Sequence, residues 1–350
     1  MGAAVSVVVG LAAATPVAAA TAVPAVAVKV SGNTLVNGAG AVIRLLGVDR
    51  SGSEYACIQG WGFFDGPSDS TSIAAIAAWH TNAVRVPLNE DCWLGINAPG
   101  NPFVGAPYRS QIRSYVTRLH AAGLAAVLDL HVTAPGSEPA TGAALEPMAD
   151  AHAVAFWRSV ATVFKADPGV LFDLYNEPNN IDWPCWLNGC VANDALKAGA
   201  RFHTVGMQSL VNAVRATGAT QVVMVGGLQW SSDLSQWPSG LVDPAGQLAA
   251  SVHVYNYASE TTATWNSRLS VAASYPLITG ELGEYDCAHA FIDRYMAWAD
   301  LHGVSYLGWT WDATAPGGWT CGGGPSLITS YDGTPTPFGI GLRDHLATLP

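Results

Sequence analysis

Residues 170–180 read VLFDLYNEPNN. Apolar Val170, Leu171, Phe172 and Leu174 run straight into Asn176, Glu177 and Pro178. A run this short and this apolar fits a strand buried on both faces. A turn needs no glutamate and a core tolerates one badly. Either the strand stops at the surface by chance, or it exists to hold Glu177. Its neighbours bear on the choice. DAHAVAFWRSVATVFKAD (150–167) before it reads as a helix. LKAGARFHTVGMQSLVNAVRATG (196–218) after it also reads as a helix, and TQVVMVGG (220–227) as the next strand.

The same alternation extends both ways. Towards the N-terminus, KVSGNTLVNGAGAVIRLLGVDRSG (29–52) reads as a small hairpin leading into a first core strand, Val42–Val48. The helix DSTSIAAIAAWH (69–80) and the strand TNAVRVPL (81–88) follow. In YRSQIRSYVTRLHAAG (108–123), Ile112, Tyr115, Val116 and Leu119 keep helical spacing up to a stop at Gly123, and LAAVLDLH (124–131) is the third strand. Towards the C-terminus, QLAASVHVY (247–255), PLITGELG (276–283) and VSYLGWTW (304–311) read as strands six to eight. Helices TTATWNSRLSVAAS (261–274), AHAFIDRYMAWADLHG (288–303) and TPFGIGLRDHLAT (336–348) separate and close them. The connection 229–247 has the poorest helical signal and reads as a loop with a short turn. Eight near-continuously apolar strands alternating with helices predict a (β/α)8 TIM barrel, one α/β catalytic domain over 29–350 with a small N-terminal hairpin. A doubly wound sheet is the alternative, but no glycine-rich phosphate loop follows the first strand, and GWGFFDG (60–66) lacks the spacing for one.

Polar residues collect where these strands end. Arg85 lies in strand two, with Asn89 and Glu90 after it. His131 ends strand three, Asn176 and Glu177 strand four, His253 and Tyr255 strand six, Glu281 strand seven, and Trp309 and Trp311 strand eight. In a barrel these ends open on one face, where active sites form. Singly each has a structural reading, as an interior ion pair, a buried histidine or core filling; Asp129 is best read as such a structural partner. Together they are hard to explain that way, because buried charge is costly unless paired. Glu177 and Glu281 are the pair that glycoside hydrolysis requires, one to protonate the leaving oxygen and one to attack or to activate water. A separation of about 5–5.5 Å gives retention and about 6.5–9.5 Å inversion. His131, His253 and Glu281 lack the tight spacing of a metal motif, and no G-x-S-x-G stretch offers a serine nucleophile.

Composition narrows the remaining choices. The 350 residues carry a formal net charge of −11 and no Lys/Arg cluster, which excludes nucleic acid as the main partner. Residues 1–28 carry no charge and resemble the apolar core and small-residue cleavage zone of a secretory leader, without its basic start. The alternative is a disordered Ala-rich tail. No later run suits a membrane span. The expected product is a secreted or extracellular chain, with a monomer favoured. Six cysteines fit export, and the expected pairs are Cys57–Cys92, Cys185–Cys190 and Cys287–Cys321, out of 15 pairings. Of 13 tryptophans, Trp61, Trp93, Trp183, Trp186, Trp230, Trp237, Trp309, Trp311 and Trp319 fall at strand ends or in the loops after them. Aromatic surface there suits flat sugar faces, although about half of such residues are expected to pack their own loops.

The ordered set NAVRVPL, LDLH, LYNEP, HVY, GELG and GWTW resembles glycoside hydrolase family 5, the cellulase-type retaining barrels, over about residues 40–345. The resemblance implies Glu177 as acid/base and Glu281 as nucleophile. It implies Asn176 on the sugar 2-hydroxyl, Arg85 and Tyr255 on the nucleophile, His131 and His253 lining the site, and Trp309 as sugar platform with Trp311 competing. No metal or organic cofactor is expected. The implied partner is a β-linked oligo- or polysaccharide or glycoside. Glu54, Tyr55, Asn89, Glu90, Trp183 and Trp230 are candidates for outer subsites. Bulky loops after strands one, two and four (SEYACIQGWGFFDG, NEDCWLGINAPGNPFVGAPY, NNIDWPCWLNGC) could wall off one end of the cleft, so exo action on short or capped glycosides stands beside internal cleavage. A carbohydrate-binding barrel without activity is the reading from another class; it expects one of the two carboxylates to be lost, and both are present.

Overall fold

A computed structural model describes residues 1–4, 26–238, 240–313 and 325–349. Most of the expected leader, together with Trp319 and Cys321, and hence the Cys287–Cys321 pair, lies outside the described residues. Eight parallel strands close into a barrel: β1 (Leu46–Asp49), β2 (Ala83–Asn89), β3 (Ala125–Val132), β4 (Val170–Asp173), β5 (Val223–Gly226), β6 (Leu248–Tyr255), β7 (Leu277–Gly283) and β8 (Ser305–Gly308). β8 pairs with β1 and β4 with β5, so no edge is left open. Every residue of β2, β4, β5, β6, β7 and β8 is buried. This is why these strands read as unbroken apolar runs: helices cover one side and the barrel interior the other. Among the described residues no helix is long and apolar enough to cross a membrane.

The expected strand Val42–Val48 divides. Val42 and Ile43 pair with Val36 and Leu35, making a three-stranded antiparallel sheet with Val28–Ser31 and Thr34–Asn37. The chain then turns at Arg44 and Leu45 and enters β1. The small sheet closes the N-terminal end of the barrel. Val28, Leu35 and Leu45 form one apolar cluster with Ala83, Ala125, Leu171, Ala249, Ile278 and Leu307 of the barrel strands. Burial of each such leucine or valine contributes about 1.5–3 kcal/mol, so the hairpin is part of the core.

The expected helix 196–218 is also shortened. Only Met207–Arg215 is helical, and Val191–Asn193 pairs with Arg201–His203 as a two-stranded ribbon. Gly199 turns at φ +80°, and a Cβ on Gly206 would meet the Leu187 carbonyl at 2.2 Å. The Cys185–Cys190 disulfide ties off the loop just before the ribbon. Tertiary contacts override the helix preference of Ala195–Ala198. The region 261–274 likewise splits into Thr262–Ser267 and Leu269–Ala272. The weak fifth connection carries only Leu228–Ser231, with Gln229 and Trp230 off helical geometry.

Candidate active site

The site is assembled around one arginine. β2 turns Arg85 into the barrel, where it has no exposure. Its Nε donates to Asp173 Oδ2 at 2.9 Å, and its Nη1 to Asp49 Oδ1 at 3.0 Å and to Glu281 Oε1 at 2.9 Å. Its Nη2 donates to Asn176 Oδ1 at 2.8 Å and lies 3.0 Å from Asp129 Oδ2. The rigid guanidinium fork therefore fixes groups from β1, β3, β7 and the end of β4 at once. Burial pushes the Asp49, Asp129 and Asp173 carboxyls up while Arg85 pulls them down. Asp129, expected to be structural, pairs with Arg85 and also with His131 Nδ1 at 2.7 Å.

The two glutamates meet different surroundings. Glu281 accepts from Arg85 at Oε1 and from the Tyr255 hydroxyl at Oε2, the latter at 2.5 Å. The register of β6 against β7 shifts between Val252 and His253, which sets His253 beside Glu281. Gly280 leaves room for that ring, because a Cβ there would come within 3.2 Å of it. His253 Nδ1 lies 2.9 Å from Glu177 Oε1 and 3.4 Å from Glu281 Oε2. Burial pushes Glu177 up to about 7, against the pull of His131 and Arg85. Burial also lowers His131 to about 4 and His253 to about 3, so both rings are neutral near pH 7. One oxygen of Glu177, one of Glu281 and a nitrogen of His253 all fall within 4.8 Å of one another.

Trp309 stands at the middle of the cleft. It stacks on His131 with ring centroids 5.3 Å apart and planes 7° apart. The cleft has two lobes that share Trp309, His131 and Leu145. The larger, about 630 Å³, holds Glu177, Glu281, Asn176, His253 and Tyr255 and runs past Trp230, Tyr257, Glu260 and Tyr285. The smaller, about 410 Å³, is lined by Glu54, Tyr55, Gln59, Trp61, Thr141–Ala143 and Asp312.

Four expected site residues lie elsewhere. Trp311 is fully buried and packs edge-on against Trp79 at 4.8 Å, so it offers no sugar face. Trp183 is buried against Trp186. Asn89 caps the helix Glu90–Leu94 by accepting from Cys92 N, and it donates to the Glu54 and Ala140 carbonyls. Glu90 is buried and faces Asp150 and His152. Of the three bulky loops, only the one after β1 contributes to the cleft lining. The loop after β2 buries Trp93 among Tyr108, Phe156 and Phe164, and the Cys57–Cys92 disulfide joins it to the loop after β1. Sequence reasoning missed Glu260, Tyr257, Tyr285 and Leu145. Tyr285 stacks on Tyr255 at 5.2 Å, and Glu260 is held by Arg268. They follow strands six and seven or sit mid-loop, and only their place after strand ends could have pointed to them.

A closed parallel barrel with two glutamates in one cleft at the C-terminal mouth has the architecture and the paired carboxylates that glycoside hydrolysis uses. The chain belongs to the cellulase family, glycosyl hydrolase family 5, whose family model matches residues 40–315. It is 27% identical over 257 residues to a mannan endo-1,4-beta-mannosidase of Cellvibrio japonicus, covering 70% of this chain and 52% of that protein. It is 26% identical over 304 residues to a mannan endo-1,4-beta-mannosidase of Streptomyces lividans, covering 83% and 67%. The chain thus spans about half the length of the first and two thirds of the second. The fold matches a beta-glucanase structure from Saccharophagus degradans with a TM-score of 0.68 at 19% identity, covering 95% of this chain and 98% of that one.

Proposed function

We propose that this chain is a secreted, retaining hydrolase that cleaves β-1,4-linked glucan or mannan chains internally. The observation that carries the reading is the approach of Glu177 and Glu281 oxygens to within 4.8 Å, which falls on the short side of the two carboxylate spacings and suits double displacement. Glu281, facing the Arg85 and Tyr255 donors, attacks the anomeric carbon. Glu177, with its carboxyl raised to about 7, gives its proton to the leaving oxygen. Once the glycosyl-enzyme forms, the charge on Glu281 is gone, and Glu177 takes a proton from the water that hydrolyses it. Asn176, fixed by Arg85, faces the sugar 2-hydroxyl, and Trp309 supplies the flat face under the ring. Internal cleavage is favoured over exo action because the cleft continues on both sides of Trp309. Export is supported by the leader-like start and by two disulfides. The test is hydrolysis of cello- and manno-oligosaccharides of increasing length, with product sizes and the first-formed anomer recorded by NMR. Internal products of retained configuration are expected; single terminal units, or inverted anomers, contradict the reading.

A further inference from the structure

A second acidic cluster lies behind the cleft wall. Glu90 opens the helix Glu90–Leu94 just past β2 and is fully buried. Asp150 and His152 lie where the long β3 loop enters the helix Ala153–Phe164. One ligand atom from each of the three falls within 4.8 Å of the other two. His152 Nδ1 lies 3.0 Å from Asp150 Oδ2 and 3.8 Å from Glu90 Oε2. Yet both Glu90 oxygens, Asp150 Oδ2 and His152 Nδ1 make no well-directed hydrogen bond, although Glu90 lies within reach of Asp150 and of the Ala134 amide. Buried polar atoms so poorly satisfied are rare, and four in one place need an explanation. The other Asp150 oxygen is occupied, accepting from the His152 amide at 2.9 Å. Neighbouring Asp91 is occupied as well, accepting from Ala140 N and Asn97 Nδ2. Only the poorly satisfied atoms converge.

Two occupants would satisfy them, a proton shared by the carboxyls or a cation. The geometry favours the cation. Ligands about 2.0–2.2 Å from a first-row dication, at about 90–110° to each other, stand about 3–3.6 Å apart. The observed 3.0 and 3.8 Å bracket that range. Two carboxylates balance a double charge, and an imidazole suits transition ions better than calcium or magnesium. Burial pushes the Glu90 carboxyl well up and Asp150 adds to this, while His152 is the one cation-forming side chain that pulls Asp150 down. His152, with a side chain 34% exposed, leaves a path from solvent. We infer that Glu90, Asp150 and His152 bind one divalent first-row transition cation, which pins the β3 loop to the end of β2. That loop carries Thr141–Leu145 into the cleft lining, so the ion would brace one wall of the substrate groove.

The full chain, stripped with EDTA and then titrated with Zn²⁺ or Mn²⁺, tests this by metal content and thermal melting. About one equivalent per chain and a midpoint rise of about 3–6 °C are expected at saturating metal. Glu90→Gln should lose that rise, and His152→Ala should weaken the metal response at least ~10-fold. A shared proton gives the opposite pattern: no metal response in the wild type, and Glu90→Gln at least as stable as the wild type in EDTA. That outcome overturns the inference. A response to Ca²⁺ alone overturns the assigned ion class. If Glu90→Gln fails to fold, His152→Ala carries the same comparison: a wild-type metal response that survives intact in it also overturns the site.

Discussion

The ends of β4 and β7 each present a glutamate to the same cleft, and the two are held in opposite ways. At β7, Glu281 accepts hydrogen bonds from a guanidinium and a hydroxyl. At β4, Glu177 has a neutral histidine and little solvent, and its carboxyl rises to about 7. The difference teaches that position alone supplies two carboxylates, while their surroundings set them apart, burial raising Glu177 so that it holds a proton. Arg85 makes the asymmetry, because it reaches Glu281 directly and Glu177 only at a distance.

Four experiments would break or sharpen that contrast. The largest effect belongs to Glu281→Ala, expected to lower kcat by ~10⁴-fold or more on every substrate; an activity within tenfold of wild type would remove Glu281 from the chemistry. Glu177→Gln comes next. It should cost about 10²–10⁴-fold on oligosaccharides and much less on aryl glycosides whose leaving group needs no proton. Wild-type activity should fall as pH rises past about 7, because the working form of Glu177 is protonated, and the variant should lose this limb. A pH profile unchanged by the substitution would contradict the assignment.

Tyr255→Phe removes one donor from Glu281 and should cost about 10–100-fold in kcat, the worth of a hydrogen bond to a charged group. A kcat unchanged on every substrate would show that the hydroxyl does not act on the nucleophile. The smallest effect is on stability. Raising the folded-state pKa of Glu177 above its unfolded value gives a contribution that is full below about 4.5 and lost as pH rises through about 7. Glu177→Gln should therefore melt about 2–4 °C above wild type at pH 8 and gain nothing at pH 4. An equal shift at both pH values would mean that burial does not raise this carboxyl.

The barrel and its glutamates were legible because strand order and strand ends are written locally. Apolar runs mark β4 and β7; Glu177 follows four residues after β4, and Glu281 lies two residues before the end of β7. The misreadings arise where the chain leaves regular geometry. Trp309 and Trp311 are two apart and would share one face of a strand, but β8 ends at Gly308, so Trp309 meets the cleft and Trp311 the core. Asn89 ends β2 and begins a helix, which turns Glu90 away from the mouth. The helix expected from Leu196 was overridden by a glycine turn and a close backbone approach that only the folded chain defines. Glu90, Asp150 and His152 meet across 60 residues of sequence, and no short motif announces them.

The most direct test of the account is trapping. The enzyme is incubated with a 2-fluoro glycoside of a sugar it cleaves, then digested, and the labelled peptide is sequenced by mass spectrometry. The account predicts one label per chain, on Glu281. A label on Glu177, or no label alongside an inverted first product, would contradict it.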